Sequence, residues 1–454
     1  MWAGETSSRL GAAVTSVALP LLAVTELGAS SVLMGVLSAA SYLPWVLLGL
    51  HAGAWVDRAR KRPIMLGCDV ASGLLLLSVP LAAWAGVLTM AHLAAVAFLT
   101  GCCTTVFVTA YRAYVPVVVP QAGLVTANAR LQGGEQVAQV AGRGLGGVLV
   151  QVLGAAGCLL LDVASFAVSA VCLSRIRATE PAPVGEVGLR ARITEGLRFT
   201  WADPHLRTLG LFSAIGNLAF TGLQTLQVVF LVRDVGAAPA IVGVLAATIS
   251  VGGIAGAAAA PWSGRRFGTA RAMVAWALVT GPFALLVPLT SNGPGLVLIA
   301  VGTMATGTGL VAITVIMTSF RQAYCPPELL GRVGSTAALF TYAAVPAGTL
   351  TAGALGDVLG NRTALWVVAA LFTGYGCVLL VSPLRTLRDL PDRAGLAVHR
   401  DPPPSPPRTP GRGEPWPRGP RGHGWFSAGG VLRGRRRGTG APPRAPCPAR
   451  SASG

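Results

Sequence analysis

The chain is predicted to be an all-α membrane protein, with twelve transmembrane helices in two six-helix halves and a disordered C-terminal tail. Apolar residues fill 53% of its 454 positions and charged residues 11%, and the mean hydropathy is +0.63, far from the balance of a soluble domain. Twelve apolar runs of roughly membrane-spanning length recur along it. Basic residues gather in alternate gaps between the runs, the pattern of the positive-inside rule.

The first run, 10–27, follows Arg9, with a second span only a few residues on. No small-residue cleavage site leads into a soluble domain, so the run reads as a helix and not as a signal peptide. Five more complete the N-terminal half, 1–175: 32–55, 64–86, 89–111, 133–152 and 155–174. A linker, 176–205, opens rich in Pro and Glu and ends in the amphipathic stretch Ile193–Phe199, suited to lying on a membrane surface. The C-terminal half, 206–384, holds runs at 206–231, 239–261, 272–290, 295–319, 334–356 and 363–383. With the N-terminus inside, the inner gaps carry Arg58–Arg62, Arg112, Arg130, the linker arginines, Arg265–Arg271, Arg321 and Arg332. The outer gaps carry little more than Arg233 and Arg362. Both termini are therefore expected in the cytoplasm.

The net charge of +18 does not point to nucleic acid, because the tail, 385–454, holds 14 Arg against four acids and so carries +10 of it. With 14 Pro after Arg385 and few aliphatic residues, that tail has no means of burying a core. Most of the eight cysteines fall in apolar runs without metal-ligand spacing, and the five His are scattered. Phosphate-binding Gly loops, G-x-S-x-G and H-E-x-x-H are absent, which argues against an ATP-driven pump or an enzyme and leaves no cofactor or metal to expect.

One stretch breaks the apolar pattern with a dense charge cluster. Gly53-Ala-Trp-Val-Asp57-Arg58-Ala-Arg60-Lys61-Arg62 lies between the second and third runs, where Gly53 permits close backbone approach and Asp57 can cap a helix. It resembles the signature loop of the major facilitator superfamily, carried by Gly53, Asp57, Arg58, Lys61 and Arg62. In that superfamily the Asp secures the outward-facing state through a helix-end contact. Tyr114–Pro120, Leu124–Gln132, Val137–Gly142, Leu145-Gly-Gly-Val-Leu, Ser8–Gly11, Glu195–Arg198 and Gly331-Arg-Val333 extend the likeness over about residues 2–390. They are similar to the bacterial transmembrane secretion effectors, a branch that includes the enterobactin exporter and macrolide efflux proteins. Two positions depart from that branch. Ala12 stands where related exporters often have Asp, and Arg143 replaces the Pro of the fifth-helix pattern G-P-x-x-G-G in Gly142-Arg143-Gly144-Leu-Gly146-Gly147.

Helical spacing sets Gln132, Gln136, Gln139 and Arg143 on one face of the fifth helix, expected to line a central cavity, with polar glue between helices as the alternative. Gly142, Gly146 and Gly147 form a packing motif, and Asn217 and Gln224 supply amides from the second half. Arg143 must face water or pair with an acid, Glu135 and Asp162 being in range. Glu135, Asp69 and Asp162 are the carboxylates available for proton coupling. Glu135 comes first because it abuts the polar face, Asp69 is assigned to the loop network around Arg58 and Arg62, and static pairing with Arg is the alternative for all three. Gly353-x-x-x-Asp357, before the last run, reads as chance or simple capping.

The resemblance implies a secondary transporter in the bacterial cytoplasmic membrane. It is expected to be a monomer that exports a small amphiphilic molecule, such as a siderophore, macrolide or drug-like metabolite, in exchange for protons. A non-transporting sensor, scaffold or decayed paralogue is the alternative suggested by Ala12 and Arg143.

Overall fold

Eleven helices are long and apolar enough to cross a bilayer. The computed structural model describes residues 2–118, 124–176, 197–325 and 327–391. Of the expected linker, 176–205, residues 177–196 lie outside them, as do residues 392–454 of the expected tail, 385–454. Among the described residues helices are the regular elements and no strand occurs: α1 (Trp2–Thr25), α2 (Ser31–Asp57), α3 (Lys61–Trp84), α4 (Met90–Val118) and α5 (Leu124–Ser174), then α6 (Pro204–Val229), α7 (Pro239–Phe267), α8 (Thr269–Thr280), α9 (Leu296–Tyr324), α10 (Pro327–Leu359) and α11 (Asn361–Gly374).

The apolar part of α5, Gly134–Ser174, runs for 41 residues, or about 60 Å at 1.5 Å per residue, twice the thickness of a hydrocarbon core. Gly154 divides it. Its φ of 74° and ψ of 159° are open to a residue without Cβ, and they turn the chain back on itself. The two arms of α5 are thus separate crossings, which brings the number to twelve. A π-helical turn, Phe230–Asp234, and a 3-10 segment, Gly281–Leu286, extend α6 and α8.

Most helices outrun their apolar segments. α1 starts at Trp2, not near residue 10, so Arg9 belongs to the helix and reaches back one turn to Glu5, Nε to Oε1 at 2.7 Å. An i,i+4 pair of this kind lets the charged first turns stay helical. Local chemistry fixes the starts: Ser30 accepts from the Leu33 amide, and Asp203, before Pro204, accepts from the amides of His205 and Leu206, both at 2.9 Å.

The helix ends define two faces. Residues 58–60, Gly268 and the start of α10 lie on one, called here the Arg58 face; Gly28, Gly86, Gly154, Gly236 and Gly360 lie on the other, the Gly154 face. Trp55 and Trp262 near the first face and Trp84 near the second are each more than half exposed, as aromatic anchors at the two edges of a bilayer are. Between them Leu74 and Val279 are exposed, an exterior suited to lipid.

The first arm of α5 lies along α1, while α9 lies along α7 and α10 along α6 within the second half. The halves meet where α2 packs on α10 and α5 on α7. Glycine makes the second of these crossings close. A Cβ on Gly147 would stand 2.7 Å from Gly243 Cα, so only hydrogen atoms fit there.

Candidate functional site

The seam between the halves is closed at the Gly154 face. Asp357, in the last turn of α10, accepts from the Ser31 amide at 2.8 Å, and the Ser31 hydroxyl meets Asn361 Oδ1 at 2.6 Å. Asn361 in turn donates to Asp234 at 2.7 Å, and Arg233 donates to the carbonyls of Gly28 and Ala29 at 2.7 and 2.6 Å. Ser31 is the first residue of α2, where free amide hydrogens and the positive helix end favour a carboxylate. The Gly353-x-x-x-Asp357 spacing therefore caps a helix as its chemistry allows, but the helix belongs to the opposite half. Sequence spacing alone does not carry that pairing, which spans 326 positions.

Farther along the seam polar and aromatic side chains meet across it. Arg143 on α5 donates from Nη1 to Ser250 Oγ on α7 at 3.2 Å. Each lies 11 residues from the Gly154 end of its helix, about 16 Å along the axis and so near mid-membrane. On the other pair of helices Trp45 stacks on Tyr342 with ring centroids 4.8 Å apart. Nearer the Gly154 face, Thr225 and Ser38 also face each other across the seam.

The predicted polar face of α5 is distributed as follows. Gln136 is exposed, Gln139 is half-buried with its Oε1 unpartnered, and the Gln132 side chain lies outside the described residues. Gly142 and Gly146 turn toward Ala13, Val14 and Val17 of α1, whereas Gly147 turns toward α7. In the second half, Asn217 donates to its own helix at the Ser213 carbonyl, 2.9 Å away, and Gln224 is half-buried on the same helix.

The three candidate acids separate. Glu135 Oε1 lies 3.5 Å from Arg9 Nη1, so Arg9 joins Glu5 to Glu135. Asp162 is buried between α1 and the second arm of α5, where the hydroxyls of Thr15 and Ser165 donate to it at 2.6 and 2.9 Å. Asp69 is buried on α3, with no partner for Oδ2 among the described residues. Arg62, a cation of the loop network expected around Asp69, donates to the carbonyls of Leu173 and Ser174 at the end of α5, at 3.0 and 2.5 Å. Arg58 is exposed and closes α2, Lys61 opens α3, and Gly53 and Asp57 belong to the last two turns of α2, the Asp57 side chain lying outside the described residues. Glu5 and Arg9 are the participants that sequence reasoning missed. Their i,i+4 spacing was a usable signal, masked by starting the first helix after Arg9.

A family model described as transmembrane secretion effector matches residues 1–403. The multidrug efflux pump Tap of Mycolicibacterium fortuitum is 28% identical over 390 residues, covering 84% of this chain and 93% of that protein. The uncharacterised MFS-type transporter y4rN of Sinorhizobium fredii is 26% identical over 401 residues, covering 86% and 94%. Among solved structures, an inward-facing bacterial homologue of the iron transporter ferroportin superposes with a TM-score of 0.68 at 15% identity, covering 84% of this chain and 96% of that one. At that identity the likeness concerns the fold.

Proposed function

Because this chain belongs to the transmembrane secretion effector family of major facilitator transporters, we propose that it exports small amphiphilic molecules by alternating access, driven by protons entering the cell. The observation that carries this reading is the seam itself: two helical halves bonded across their Gly154 face, with Arg143, Ser250, Trp45 and Tyr342 meeting at mid-membrane. A route through such a seam opens at one face while the other is held shut. The similarity to an efflux pump gives the direction. The Arg58 face, with Arg58, Arg60, Lys61, Arg265 and Arg266, is the cytoplasmic one under the positive-inside rule, so the state described is inward-facing. The working unit is a monomer in the bacterial cytoplasmic membrane.

Proton coupling falls to Glu135. Glu5 and Glu135 flank one guanidinium, Arg9, so the cluster holds two negative charges against one positive. Asp162, held by two hydroxyls, is assigned to joining α1 to α5, and Asp69 stands as the second carrier.

Cells expressing the chain and loaded with carboxyfluorescein, an anionic aromatic dye, are expected to lose it several-fold faster than control cells, with the difference abolished by a protonophore and by Glu135→Gln. Equal dye retention with and without the protein, repeated with neutral and cationic dyes, contradicts export. Efflux that survives both the protonophore and Glu135→Gln contradicts the coupling.

A further inference from the structure

Among the described residues nothing balances the charge of Arg143. A guanidinium offers five donors and keeps its proton at any physiological pH. Among the described residues its partner is a neutral hydroxyl, Ser250 Oγ, and no carboxylate comes within 4.0 Å. The acids that sequence reasoning offered it are engaged elsewhere, Glu135 with Arg9 and Asp162 with Thr15 and Ser165. A lone cation at mid-membrane costs roughly 2.5–3.5 kcal/mol on insertion scales, so retaining one without a counter-charge calls for a reason.

Its neighbours supply that reason. One turn along the same face of α5, Gln139 presents a buried amide oxygen with no partner among the described residues. Across the seam, Trp45 and Tyr342 form an aromatic pair contributed by both halves. Tyr42, one turn before Trp45 on α2, is within electrostatic reach of both Arg143 and Tyr342, which ties the charged group to the aromatic pair. By helix rise, Trp45 lies about 5 Å deeper from the Gly154 face than Arg143.

We propose that Arg143, Ser250 and Gln139 bind the head of an anionic aromatic cargo, a carboxylate or comparable oxyanion, while Trp45 and Tyr342 hold its ring. The proposal rests on the transporter reading above and names the substrate class for the same seam. An oxyanion on Arg143 gains charge-assisted, bidentate hydrogen bonds, and a cargo hydroxyl or amide satisfies Gln139. Because α5 and α2 belong to one half and α7 and α10 to the other, the occupied site joins the halves at mid-depth. Opening the Gly154 face draws Ser250 and Tyr342 away from Arg143 and Trp45, dividing the site and releasing the cargo.

The test uses the purified full chain in lipid nanodiscs and two tritiated probes of equal size, 2-naphthylacetate and its neutral amide, measured by equilibrium binding without any gradient. The wild type is expected to bind the carboxylate at least tenfold more tightly than the amide. Arg143→Gln should abolish that preference, Arg143→Lys should restore part of it, and Trp45→Ala should weaken both probes. No carboxylate preference in the wild type, including no binding at all, overturns the proposal without any variant, as does a preference that survives Arg143→Gln. A carboxylate preference in a chain that exports nothing from cells keeps the site and rejects the exporter reading. Export without the preference does the reverse.

Discussion

Helices α2 and α10 run antiparallel across the seam, and each ends in the same spacing: Gly53-x-x-x-Asp57 closes α2 and Gly353-x-x-x-Asp357 closes α10. The end of each helix is level with the start of the other. At the Gly154 face this geometry is engaged. Asp357 caps Ser31 of α2, and a Cβ on Gly353 would stand 2.5 Å from the Ser31 carbonyl oxygen, which allows the two backbones to touch. At the Arg58 face the spacing comes with four cations, and it resembles the loop that holds major facilitator proteins in their outward-facing state. We infer that the two ends are opposite latches on one pair of helices, each Asp holding the positive N-terminus of the partner helix in a different half of the cycle. One is conspicuous because it also carries the topogenic charges. The other lies on the face that avoids cations, and it stands out only once the helices are placed.

The comparison is most sharply tested by removing the close approach. Gly353→Val drives a side chain into the backbone at Ser31 and Val32. Overpacking of about 1–3 kcal/mol acts only on the state closed at the Gly154 face, so that state should lose about five- to 150-fold in population. Transport should fall about fivefold or more, measured as dye efflux at matched membrane expression; unchanged efflux would mean the contact is incidental. A smaller effect is expected from Asp357→Ala. Losing a charged cap at a helix N-terminus costs about 1 kcal/mol, or about fivefold in the same equilibrium, visible as faster labelling of a cysteine at position 38 from the Gly154 face. Smallest is Arg233→Gln, which removes half-exposed bonds to the Gly28 and Ala29 carbonyls and should change that labelling about twofold.

The sequence discloses the crossings well and the partnerships poorly, for a physical reason. Apolar length and the in–out alternation of Arg are local properties, and they mark every span, including the return at Gly154 that splits α5. Helix starts were less legible, because charged first turns such as Glu5–Arg9 carry no apolar signal. Spacing also put Gln139 and Arg143 on a common face, but it said nothing about Ser250, which is 107 positions away. It left Asp162 open to Arg143, although the nearby hydroxyls of Thr15 and Ser165 hold it. A face can be read from periodicity; which helix that face meets depends on packing that single-sequence reasoning does not reach.

Opposite latches require opposite responses, and one measurement reads both. Spin labels at Val87 and Ser291, exposed on the Gly154 face in different halves, and at Arg175 and Arg271, exposed on the Arg58 face, give two distances by pulsed electron resonance in a cysteine-free chain. Asp357→Ala should add a longer population between 87 and 291 and a shorter one between 175 and 271, and Asp57→Asn should shift both distributions the other way. Shifts in the same direction for the two variants, or distributions that Asp357→Ala leaves unchanged, would contradict the account.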